Sequence, residues 1–104
     1  MDKYIIVTTL CNKEEVAKKI IDLLLEKRLI AGSQLSKVHS KYWWNNELEE
    51  CDEYKLEFRT KESLYGKIEA EIKKIHDYDT VEISCIEIKN ANTDFLSWID
   101  KETK

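Results

Sequence analysis

Tyr54, Leu56 and Phe58 alternate with Lys55, Glu57 and Arg59, and this period of two is the clearest strand signal in the chain, with one face buried and one wet. Residues 3–9, KYIIVTT, are β-branched and aromatic without strict alternation, as in a central strand. The period then lengthens. Val16, Ile20, Leu23 and Leu24 recur at helical spacing, with Asn12 as N-cap, Glu15 completing a capping-box-like pair, and Lys27 and Arg28 in the last turn. This predicts a helix over 13–28, ended by Gly32. Residues 33–44 read as extended, but Leu35 lies on one parity and Val38, Tyr42 and Trp44 on the other, which predicts a bulge or bend near Ser36–Lys37. Asn45-Asn46 suits a two-residue hairpin loop, leading into a strand over 47–60. Leu64, Ile68, Ile72 and Ile75 predict a second helix over 61–76. After the turn HDYDT come a strand, VEISCIEIK, and a short helix capped by Asn92 or Thr93. The order β-α-β-β-α-β plus a terminal helix predicts an α+β, ferredoxin-like split βαβ domain spanning 1–104.

The hairpin is too long for that domain. Its first strand alone, 33–44, would reach roughly 40 Å at ~3.3 Å per residue, against a diameter of roughly 33 Å for a compact chain of this size. Its tip, KYWWNNELEE, carries three adjacent rings, and a bare two-stranded ribbon is marginal in water. Closed self-association would remove the exposed edges and rings. Tyr42, Trp43 and Trp44, joined by Trp98 of the terminal helix, are the residues expected at that interface. The alternative is that both ribbon tryptophans shield the domain's own sheet.

Charge narrows the partners. The net charge is −4 with 37% charged residues, which argues against nucleic acid and anionic membrane as partners because both need a basic footprint. No apolar run approaches a membrane span, and MDKYIIVTTL lacks a signal-peptide cleavage site. Three cysteines, Cys11, Cys51 and Cys85, without CxxC spacing, fit reduced thiols and a cytoplasmic location.

The strand ending VTTLC, the helix NKEEVAKKIIDLLLEKRLIAG, the hairpin SKYWWNNELEECDEYKLEFRT, the turn HDYDTVEI and the final NTDFLSWI resemble, in order, the CutA family of divalent-cation tolerance proteins. The resemblance implies a ferredoxin-like fold, a tight homotrimer related in architecture to the PII regulators, and a link to copper and other divalent ions. The chain departs from the family at Ala31-Gly32, where a cysteine is frequent, and at Thr9, where some members have another. The family's HPYE reads HDYD at His76 to Asp79, and Glu82 matches the family's glutamate.

His76, Asp77, Asp79 and Glu82 bring imidazole and carboxylates within seven residues, donors that suit zinc or Cu(II). His76 and Glu82 are the expected metal ligands, with copper or zinc as the sole cofactor class. The competing reading is that the aspartates form the turn and His76 ends a helix. A second expected site is an inter-subunit pocket of Trp44, Tyr54, Glu57, Arg59 and Tyr78, competing with an ordinary wet interface. No nucleophile motif, catalytic triad or glycine-rich phosphate loop is present, so the chain is expected not to be an enzyme. The expected function is a trimeric protein of the response to divalent metal ions. The alternatives are a PII-like sensor of a small anionic metabolite held between subunits, and a trimeric scaffold with no ligand.

Overall fold

The computed structural model describes residues 2–104. Its strands are β1 (Tyr4–Cys11), β2 (Gly32–Trp44), β3 (Glu47–Lys61) and β4 (Ile83–Glu87), and its helices α1 (Glu14–Glu26), α2 (Tyr65–Ile75) and α3 (Thr93–Glu102); a 3₁₀ turn, Glu62–Leu64, leads into α2. The four strands form one antiparallel sheet in the order β2-β3-β1-β4. Alternate residues of β1 and β3, among them Ile5, Val7, Cys11, Leu56 and Phe58, form the core with Ala17, Ile20 and Leu24 of α1 and Ile68 and Ile72 of α2. The expected mixed α+β fold, with two helices on one sheet face, is therefore observed. The third helix packs elsewhere. Ile99 is fully buried yet lies outside that core cluster, and Asp100 accepts a hydrogen bond from Tyr4, whose side chain alternates away from Ile5.

Three local expectations are corrected. Pairing of β2 with β3 runs unbroken from Gly32↔Arg59 to Trp44↔Glu47, so there is no bulge at Ser36–Lys37. The parity change has another cause: Leu35 lies opposite buried Leu56, whereas Val38 lies opposite Glu53, and each belongs to a different sheet face. Asn12 does not cap α1. Lys13 occupies the N-cap without a side-chain bond, and its ammonium instead reaches Asp77 at 2.9 Å. Nor does Gly32 stop the helix. Arg28 turns left-handed at φ 58° while the Arg28 and Leu29 amides donate to the carbonyls of Leu25 and Leu24, the Schellman pattern usually built on glycine. Burial of Leu29 and Ile30 just beyond, and a 2.8 Å ion pair from Arg28 to Glu102, hold the arginine there. Gly32 serves packing, since a Cβ on it would sit 2.8 Å from the Trp98 ring.

The hairpin turn is as expected. Asn45 and Asn46 have φ of 52° and 64°, both positive, as the right-handed twist of a two-residue hairpin requires. Since β1 pairs with β3 only from Tyr54 onward, residues 38–44 and 47–53 form a ribbon backed by no third strand. The molecule is accordingly elongated, 45 × 26 × 21 Å.

Candidate functional site

The ribbon's register assigns its two faces. Trp44, Tyr42, Ser40 and Val38 stand opposite Glu47, Glu49, Cys51 and Glu53 on one face; Trp43, Lys41, His39 and Lys37 stand opposite Leu48, Glu50, Asp52 and Tyr54 on the other. The first face continues the sheet surface that turns away from α1 and α2. Ile6 and Ile86 pair with one another on that surface, and Ile86 is 65% exposed. At the tip Trp43 and Leu48, a direct cross-strand pair, are 70% and 55% exposed, with Trp44 and Tyr42 near 41% and 42%. Trp98 differs from these ribbon rings. It lies against Gly32 and Phe95 within the chain and leaves only part of its indole exposed.

The expected pocket residues are dispersed over both faces of the hairpin and the turn after α2. Trp44 lies seven positions beyond Lys37, the partner of Tyr54, roughly 23 Å at ~3.3 Å per residue. Glu57 and Arg59 alternate away from the core, while Tyr54 packs against it. The Tyr78 hydroxyl donates to buried Glu53 at 2.7 Å, and its pKa is pushed far up by burial and by that carboxylate. The Nη1 of Arg59 and the Oγ of Ser33 are buried without a hydrogen-bond partner among the described residues. The single chain does not bring the five pocket residues together.

His76 is closed off. It ends α2, with its backbone amide donating to Ile72. Its ring is almost wholly buried, packed edge-on against Tyr78. Nδ1 accepts the Tyr78 amide at 3.2 Å, so Nε2 carries the proton and donates to the Leu10 carbonyl at 2.6 Å. Both ring nitrogens are thereby in use, one as acceptor and one as donor. Glu82 is exposed; its carboxylate accepts from Ser84 and its carbonyl from Thr9. Asp77 is drawn to Lys13, whose hydrogen bond holds its carboxyl below the usual range. The Cys11 thiol is buried, pushed up by that burial, and bonds to the Lys13 carbonyl. No three His, Cys, Asp or Glu side chains among the described residues are placed to hold an ion together. The residues around His76 therefore do not fit a resident metal within one chain.

The sequence reading missed His39. Its Nδ1 lies 2.8 Å from Asp52 and its Nε2 2.9 Å from Glu50, so both nitrogens face a carboxylate and the pKa rises, first through Glu50 and then Asp52. Below it a cleft of about 410 Å³ is lined by Asn12, Lys37, Val38, His39, Asp52, Glu53 and Tyr54. The signal was present in the sequence: a two-residue loop at 45–46 puts His39 opposite Asp52.

Residues 5–102 match the family model of the CutA1 divalent ion tolerance protein. The chain belongs to the CutA1 family. It is 37% identical over 100 residues to the divalent-cation tolerance protein CutA of Pyrococcus horikoshii, covering 96% of this chain and 98% of that one. The crystal structure of the Pyrococcus horikoshii CutA1 superposes with a TM-score of 0.90 at 36% identity, covering 96% of this chain and 98% of that one. The periplasmic divalent cation tolerance protein CutA from Archaeoglobus fulgidus superposes at 0.94 with 28% identity, covering 97% and 99%. No helix among the described residues is long and apolar enough to cross a membrane.

Proposed function

We propose that this CutA1 family member assembles as a homotrimer through its ribbon and takes part in the response to divalent metal ions as a non-enzymatic protein. The overhanging ribbon is the observation that carries the assembly: seven residues of each strand extend past the sheet, tipped by exposed Trp43, Trp44 and Leu48. A second copy covering those rings and the Ile6–Ile86 surface would bury apolar area and satisfy open strand edges. The metal role is supported by the tolerance function after which the relatives are named. Any use of His76 and Glu82 as ligands would require the His76–Leu10 bond to open. Free thiols at Cys11, Cys51 and Cys85 support a reducing, cytoplasmic location. Native mass spectrometry of metal-supplemented protein tests the reading; three subunits with retained ions is expected, and a folded single subunit overturns it.

Arg59 and Ser33 favour a second reading. A buried guanidinium nitrogen and hydroxyl without partners offer donors to an acceptor from outside the chain, as a small anionic metabolite held between subunits would supply. A thermal-shift screen of anionic metabolites tests it, since a ligand of the native state raises the melting point and Arg59→Gln should abolish that rise. No rise with any anion would leave the first reading, or a trimer that serves as a scaffold.

A further inference from the structure

Arg59 lies beneath the terminal helix. It pairs with Gly32 on one side and Ile6 on the other, and its side chain shares their sheet face, away from the core. A Cβ on Gly32 would meet the Trp98 ring of α3, and two residues before Ile6 the Tyr4 hydroxyl donates to Asp100 of the same helix at 2.6 Å. Trp98 and Asp100 therefore reach the sheet on either side of Arg59, whose Nη1 is buried with no hydrogen-bond partner among the described residues. The helix above it is weakly fastened. Of its ten residues only Ile99 is buried, outside the main core cluster. Its other ties are polar and exposed, from Tyr4 to Asp100 and from Arg28 to Glu102. Residues 88–92, which join it to β4, carry no regular structure, and Asn92 caps it without a side-chain bond.

We propose that α3 is a clasp that closes over Arg59 and swings off the sheet as a unit while the rest of the fold stays shut. Closing strips water from a guanidinium nitrogen that nothing in the chain then satisfies, and a buried donor left without a partner is costly, more so on a charged group. Against that cost stand one buried isoleucine, part of an indole and two surface ties, and ties of that exposed kind contribute little. The closed and open arrangements therefore lie close in free energy, as in elements that open on their own below the global transition. Opening bares Arg59 together with Gly32 and Ile6, so the clasp governs when the guanidinium can reach an acceptor. It requires neither a bound anion nor a second subunit.

Native-state hydrogen exchange of the full chain, at two protein concentrations, tests this, with circular dichroism confirming the fold of each variant. The helix-bonded amides of α3, from Leu96 to Thr103, should exchange at one common opening rate, about a hundredfold or more faster than those of Val7 and Phe58. Arg59→Met keeps the bulk and removes the charge, so it should slow that rate by about tenfold. Tyr4→Phe and Glu102→Gln, which each loosen one tie, should quicken it by roughly a few-fold. Exchange of α3 together with Val7 and Phe58, or an Arg59→Met rate equal to or above that of the parent, would overturn the proposal. So would a common rate that falls as protein concentration rises, because the acceptor for Arg59 would then come from another subunit.

Discussion

Replacing Trp43 with alanine is the sharpest perturbation of the proposed assembly. Trp43 leaves 70% of its surface exposed in the single chain. A tryptophan presents up to about 250 Å², so roughly 175 Å² remains to be covered, about 4 kcal/mol at about 25 cal/mol per Å². Side-chain ordering and imperfect cover reduce the figure to about 2 kcal/mol per subunit. Three subunits then lose about 6 kcal/mol, somewhat over four powers of ten in the trimer's dissociation constant. The concentration at half-assembly follows the square root of that constant, so it should rise about a hundredfold. Sedimentation equilibrium over a wide concentration range measures it directly. Trp44→Ala, from a ring 41% exposed, should give a smaller shift. If Trp43→Ala assembles at the wild-type concentration, the tip lies outside the interface and the reasoning from the ribbon fails.

Other substitutions probe the fold more locally. Gly32→Ala pushes a methyl against Trp98 and should cost about 1–3 kcal/mol as overpacking, with Trp98→Phe in the same chain restoring much of it in urea melts. Arg28→Gly relieves a positive φ and should be neutral to stabilising by less than ~1 kcal/mol once its ion pair is lost, whereas Arg28→Val should destabilise by roughly 1–2 kcal/mol; thermal unfolding separates them. The hydrogen bonds from Lys27 and Lys74 hold the Glu71 carboxyl below its ordinary value of 4.5. Its depressed folded pKa makes their contribution fully present above that value and lost as pH falls through the lower one. Denaturant midpoints between pH 7 and pH 3 should therefore fall less steeply in Glu71→Gln.

The long-period and two-period patterns revealed the architecture because core burial dominates both: Phe58 and Leu56, or Ile68 and Ile72, are buried where their spacing requires. The Asn45-Asn46 turn was equally legible, since the loop's length and chemistry dictate its dihedrals. What stayed hidden depended on tertiary partners. Arg28 adopts a glycine-like conformation beside Glu102 of a helix 74 residues away. Gly32 is small because Trp98 arrives from the same distant helix. His76 was recognisable as a donor-rich residue, but the Leu10 carbonyl that occupies its ring comes from β1, and no local pattern announces that. The His39 cluster needed only the hairpin register, which a two-residue loop implies, since that register sets His39 against Asp52.

With no third strand on either side of the pair, the strands between Val38 and Glu53 hold only half the hydrogen bonds of a central strand, while Val7 and Phe58 sit in a fully backed sheet. The chain thus divides into two zones of protection. In hydrogen–deuterium exchange on the single chain, outward-facing ribbon amides should label within the dead time as Ile5, Val7 and Phe58 stay dark until global opening. Slow labelling of the ribbon at high protein concentration would then report how much of its rigidity is borrowed from other molecules.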